Sequence, residues 1–150
     1  MRDGGCEDVV VVLGACISEV PQAEVVVNPR WRSGLASSLA TGLEYLTGLD
    51  SVDRVIITLV DEPEIAPADV RQLLASTSGL AAIRYGDQWS HPVLIHSSHW
   101  RSLRQNLEGD KGARSYLMAH HDELALFPSS NLAGFEDLDY RPGSGPKGGN

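Results

Sequence analysis

The sequence predicts an α/β protein whose sheet is doubly wound and mostly parallel. Three observations carry this. Val55-Ile56-Ile57-Thr58-Leu59-Val60 is an unbroken run rich in β-branched side chains, the composition of a strand covered by helices on both faces. Leu35, Leu39, Leu43 and Leu46 recur at helical spacing soon after another short apolar run. Strand-like and helix-like patterns then alternate along the chain, as βαβ units require, which gives a Rossmann-like layering.

The elements follow in order. Residues 8–13 (DVVVVL) read as a strand closed by Gly14, and residues 23–28 (AEVVVN) as a second strand stopped by Pro29. Ser33 is the expected N-cap of the helix that carries the leucine repeat. Residues 55–60 form the third strand. Residues 67–76 (PADVRQLLAS) start with a proline suited to a first helical turn, with Asp69 close behind it. Residues 80–85 and 92–96 are short strands around a Gly86-Asp87 turn, a pair that would add one antiparallel strand. Residues 98–107 and 111–121 are expected helices separated by Gly109-Asp110, and residues 123–127 the last strand. The stretch after Pro142 is rich in glycine and proline, so residues 1–142 are expected to form one domain and residues 143–150 a disordered tail.

Bulk properties exclude several classes of partner. A chain of 150 residues is long enough for one domain that buries roughly 68–70% of its unfolded surface. Twelve basic against twenty acidic side chains give a net charge of −8, the wrong sign for a nucleic-acid or anionic-membrane surface. Nucleotides stay possible, because helix N-termini and a metal can hold phosphates without a basic surface. Cys6 and Cys16 show neither zinc spacing nor a disulfide framework, which fits a reduced cytoplasmic compartment. No apolar run reaches the roughly 20 residues of a membrane span.

Chemistry is expected where strands end. Ligands of open α/β sheets bind beyond the carboxyl ends of the strands, so Asp61, ending the run at residues 55–60, is placed to meet a hard cation or phosphate; it could instead cap the helix after Pro67. The run into Asp61-Glu62 also fits the second motif of P-loop ATPases, but no G-x-x-x-x-G-K-[ST] loop accompanies it. A receiver-like domain with Asp61 as phosphoacceptor would want an acidic pair after the first strand, where Leu13-Gly14-Ala15 stands. Asn28, Gly34, Ser37 and Ser38 lie at a strand-to-helix junction, where free N–H groups and hydroxyls can meet a polar ligand or simply cap an amphipathic helix. Trp31 beside them is ambiguous between packing and stacking on a ligand, packing being the commoner role of a lone aromatic beside a loop. His91 opens a strand and either points into a cleft or serves as a hydrogen-bonded structural residue. His120 and His121 sit at a helix end, where they complement its dipole; His96 and His99 read as surface residues. Asp137 and Asp139 would share one side of an extended segment and could join Asp61 around one Mg²⁺, or form a solvated acidic loop.

Taken in order, these segments resemble the MobA-like nucleotidyltransferases. Asn28-Pro29-Arg30-Trp31-Arg32-Ser33-Gly34-Leu35 is similar to the family's N-P-x-W-x-x-G-[LM], followed by Ser37-Ser38-Leu39. Leu59-Val60-Asp61-Glu62-Pro63 resembles its [LV]-x-D-x-P metal site, and Ser90-His91-Pro92-Val93-Leu94 its G-H-P-V-[LF] strand. Gly109-Asp110-Lys111-Gly112-Ala113-Arg114 resembles G-D-x-G-A-R, and Asp137-Leu138-Asp139 the closing D-[IV]-D. The resemblance implies a nucleotide-diphospho-sugar transferase-like fold and transfer of an NMP group from an NTP, CTP or GTP, to a small acceptor, a molybdopterin-type cofactor first. It implies Asp61 as the catalytic Mg²⁺ ligand with Asp139 or Asp137 as a second. It places Asn28, Gly34, Ser37 and Ser38 near the nucleotide and His91 on the acceptor side. The family's glycine-rich L-A-A-G-x-G-x-R-x-G-x-x-K should precede Val9 by roughly forty to fifty residues. The chain is therefore expected to be N-terminally truncated and to turn over weakly or not at all. A non-catalytic module acting through protein contacts, as a homo-oligomer or with other partners, is the alternative.

Overall fold

The computed structural model describes residues 1–61 and 65–131. Two β-branched runs open the fold as β1 (Val10–Leu13) and β2 (Glu24–Val27), paired in parallel with Val10 opposite Glu24 and Leu13 opposite Val27. The leucine repeat becomes α1 (Leu35–Thr47). Then follow β3 (Arg54–Ile57), α2 (Pro67–Leu74), β4 (Leu80–Tyr85), β5 (Gln88–His96), α3 (Ser97–Gln105), α4 (Arg114–Ala119) and β6 (Leu124–Pro128). The last four strands form one sheet in the order β3-β5-β4-β6, in which β3, β4 and β6 run the same way and β5 alone is reversed.

Side chains of β4 alternate between two layers, as the period of a strand demands. Leu80 and Ala82 join Val93, Ile95, Trp100 and Leu117 under α1, α3 and α4, whereas Ala81 and Ile83 join Leu94 and Leu73 under α2. The sheet is covered on both faces, which is why Leu80–Ile83 of β4 and Val93–Ile95 of β5 are apolar without a break. Leu43 and Leu73 are almost wholly buried, and each contributes roughly 1.5–3 kcal/mol by leaving water. The β1–β2 ladder is not hydrogen-bonded to the larger sheet. Both lean on α1: Val10 packs against the same cluster as Val55 and Ile57, around Leu43 and Leu46. A short N-terminal turn, Arg2–Gly4, ties the other face together. Its Gly4 lies against Val70, the Arg71 guanidinium donates to the Asp3 carbonyl (3.0 Å), and Arg2 donates twice to the Gln22 carbonyl (3.1 and 3.0 Å).

Four expectations need correction. β3 stops at Ile57 rather than Val60, and Val60 is 96% exposed. The cause is across the ladder: Ile57 pairs with Val93, so the next position meets Pro92, which has no N–H to give. β5 starts at Gln88, well before Pro92, because Val93 faces Ala82 while Ser90 faces Ile83, leaving His91 and Pro92 as an excursion in the strand; their peptide bond is cis. α4 is shorter than residues 111–121, since Lys111 is engaged with Glu108 across a Gly109 turn with φ 54°. Ser33 does not cap α1: it lies in a short 3-10 turn with its hydroxyl donating to the Arg30 carbonyl (2.7 Å), and Gly34 is the capping residue. Among the described residues, no helix is long and apolar enough to cross a membrane.

Candidate functional site

The carboxyl end of β2 delivers Asn28, which is fully buried. Its Nδ2 donates to the hydroxyls of Ser37 (2.8 Å) and Ser38 (3.0 Å), and its Oδ1 accepts from the Arg30 N–H (2.9 Å). A buried amide must find such partners or lose about 1–3 kcal/mol, and here the first turn of α1 supplies them. The single proton of the Ser37 hydroxyl is shared between the Arg30 and Gly34 carbonyls (3.0 and 2.8 Å). Three of the expected nucleotide-side residues are thus brought together, but Asn28 and Ser37 spend their polar groups on one another. The Ser38 hydroxyl accepts from Asn28 and meets no acceptor for its own proton among the described residues, so it remains able to donate outward.

Gly34 has φ 102° and ψ 175°, a backbone state that side chains avoid. A Cβ there would stand 2.5 Å from both Asp110 Oδ1 and the Gly109 carbonyl oxygen. That carbonyl also accepts from the Ala36 N–H (3.0 Å). The Gly109-Asp110 turn is therefore seated on the N-terminal end of α1, where an acidic side chain complements the helix dipole. Next along the chain, Arg114 lies over the Trp89 ring (4.8 Å to its centroid) and donates to the Trp89 carbonyl (3.4 Å). Trp89 stands two residues before His91 in β5. Asp110, Arg114 and Trp89 were not singled out as site residues from sequence; the signal was the G-D-x-G-A-R likeness, whose packing partner no spacing rule discloses.

His91 is partly buried, and its carbonyl accepts from the Tyr85 hydroxyl (3.0 Å). Antiparallel pairing of Ile57 with Val93 puts the exit of β3 toward Asp61 at the same sheet edge as His91. Asp61 is exposed and has no hydrogen-bond or ion-pair partner among the described residues. Glu62 and Pro63 of the same motif, and both Asp137 and Asp139, lie outside the described residues. Among the described residues no group of three acidic, cysteine or histidine side chains is gathered to hold a metal. Trp31 packs over Gly14 at the end of β1, with the Arg32 guanidinium 4.5 Å from its ring centroid, as the packing reading had it. His120 does cap its helix end, its Nδ1 lying 2.9 Å from the Tyr116 carbonyl. His99, expected at the surface, is partly buried, with Nδ1 2.9 Å from the Tyr116 hydroxyl; burial lowers its pKa from 6.5.

Residues 1–124 match the model of the MobA-like NTP transferase domain. The chain belongs to this family. Nucleotide triphosphates are the substrates that MobA-like NTP transferases imply, and the fold agrees. A nucleotidyl transferase from Methanothermobacter superposes with a TM-score of 0.72 at 17% identity, covering 89% of this chain and 68% of that one. Rv0371c from Mycobacterium tuberculosis H37Rv, crystallised as a complex with manganese, gives a TM-score of 0.71 at 19% identity, covering 91% of this chain and 80% of that one. In sequence, the MobA-like chain is 29% identical over 157 aligned residues to the nicotine blue oxidoreductase of Paenarthrobacter nicotinovorans, covering 93% of this chain and 74% of that protein.

Proposed function

We propose that this MobA-like domain is a Mg²⁺-dependent nucleotidyltransferase that moves an NMP group from CTP or GTP to a small acceptor, a molybdopterin-type cofactor first, in the cytoplasm. The observation that carries the reading is the place of Asp61. It is an exposed carboxylate, without a hydrogen-bond or ion-pair partner among the described residues, at the end of the sheet where His91 also lies. Trp89, two residues before His91 in β5, is covered by Arg114, and the Gly109-Asp110 turn just before Arg114 in sequence is bonded to the first turn of α1. A lone hard oxygen donor suits Mg²⁺, which takes one or two carboxylates and fills the rest of its shell with water and substrate phosphates. The metal would neutralise charge on the phosphates undergoing transfer. The chain's own part is positional, as this reaction class requires. Asp61 holds the ion, Asp139 or Asp137 contributes a second carboxylate, the turn from Gly34 to Ser38 borders the nucleotide, and His91 faces the acceptor.

Calorimetric titration with CTP and GTP, with and without Mg²⁺, tests this together with pyrophosphate release. Mg²⁺-dependent binding that is lost in Asp61→Asn, with slow pyrophosphate release, is the expected result. Binding indifferent to both Mg²⁺ and Asp61 would overturn the reading. The relative named an oxidoreductase supports a second reading, in which the same sheet edge serves a redox nucleotide. Oxidation of NADH or NADPH by the chain with a quinoid dye, together with no Mg²⁺-dependent NTP binding, would favour it.

A further inference from the structure

We propose a second ligand site, at the opposite end of the sheet from Asp61, for a small amphiphilic anion: an apolar body carrying one carboxylate or phosphate. A groove of about 680 Å³ runs between the C-terminal part of α1 and α3, inside the usual size range of small-molecule sites. Ser97, Trp100, Arg101, Arg104 and Gln105 all line it, and their spacing puts them on one face of the α3 helix. The face is rigid where it matters. Trp100 is buried, and its Nε1 donates to the Ile95 carbonyl (3.1 Å).

The walls divide by chemistry. Leu46, Leu49 and Val52 give an apolar side, and Leu49 is 37% exposed. Facing them are two guanidiniums one helical turn apart. Arg104 is shared with Glu44 at 3.4 Å, whereas Arg101 is exposed and has no ion-pair partner among the described residues. One unneutralised guanidinium beside an apolar wall is a specific arrangement in a chain of net charge −8. Such a fork binds carboxylate or phosphate oxygens in bidentate geometry. The Thr47 hydroxyl is already committed to the Leu43 carbonyl (2.7 Å), so the anion is met by Arg101, Arg104 and the Gln105 amide. None of the residues placed near the nucleotide takes part, and this site stands or falls independently of the transferase reading.

The test is a titration of the full chain followed by amide chemical shifts, with octanoate and octyl phosphate as probes and inorganic phosphate and octanol as controls. Saturable shifts confined to residues 46–52 and 97–105 are expected for the amphiphilic anions, with either control at least tenfold weaker. Arg101→Gln with Arg104→Gln should weaken the anions at least fivefold and leave octanol unchanged. Comparison of octanoate with octyl phosphate assigns the head group. No saturable binding, shifts centred elsewhere, or affinities unmoved by the double substitution would each overturn the site.

Discussion

Gly34 and Asp110, far apart in sequence, are locked face to face: a Cβ on Gly34 would stand 2.5 Å from Asp110 Oδ1. Gly34→Ala should therefore cost stability twice, through its φ of 102° and through the collision. The expected loss is roughly 1–3 kcal/mol by urea denaturation. Adding Asp110→Ala should recover only part of it, because the Gly109 carbonyl oxygen stands equally close. Full recovery in the double variant would mean that the side-chain clash is the whole effect.

Asn28→Ala should lower stability by about 1–3 kcal/mol, since three hydrogen bonds of a fully buried amide disappear and the Arg30 N–H loses its acceptor. Amide exchange should quicken in the first turn of α1 before it does in β4. An unchanged denaturation midpoint would show that water replaces the amide without loss.

Asp69 is read from sequence as a first-turn acid that serves the helix dipole, yet it is 1% exposed and does more. Its Oδ1 accepts from the Ser130 N–H (2.7 Å) and its Oδ2 from the Ser129 hydroxyl (3.1 Å), fastening α2 to the end of β6. Asp69→Ala should cost about 2 kcal/mol or more, as breaking charge-assisted bonds to a buried carboxylate does. Asp69→Asn, which keeps one acceptor, should cost less. Equal losses in thermal melts would count against the acceptor role.

His99 makes stability depend on pH. Burial lowers its folded-state pKa below 6.5, helped by His120 and His96 and opposed by Glu123. The unfolded chain then binds more protons than the folded one, so stability rises with pH across that interval. The contribution is whole above pH 6.5 and is lost as pH falls through the folded value. Urea midpoints measured at about pH 7.5 and about pH 5.5 should differ less in His99→Gln than in the parent. The same difference in both would remove His99 as the cause.

Element types were legible because burial leaves a period: β4 and β5 read as strands from their apolar runs, and α1 from Leu35, Leu39, Leu43 and Leu46. The two-faced packing was legible for the same reason, and the reversed β5 from the Gly86-Asp87 turn that precedes it. What escaped was anything set by a partner distant in sequence. Thr58, Leu59 and Val60 are apolar enough for a strand, and only Pro92 across the ladder ends it. Ser33 looked like a cap, but the Gly109-Asp110 turn chose Gly34. Asn28, Ser37 and Ser38 were grouped correctly as a cluster at one strand end. That Asn28 spends its amide on the two serines could not be read from residue types alone. Nor could the placing of His99 beside Tyr116, since the spacing of α3 does not say which face a later helix covers.

The β1–β2 ladder and the four-stranded sheet share α1 but no ladder hydrogen bonds. At their seam, among the described residues, Val10 of β1 meets the cluster that holds Val55 and Ile57 of β3 through apolar contact. Amide ladders have a register and resist small slips; apolar contact has none, and changes little over fractions of an ångström. The seam therefore behaves as a greased joint. A slight shift of β1 and β2 over β3 would break no ladder bond, and α1, held at its start by the Gly109 carbonyl, is the pivot on which it would turn.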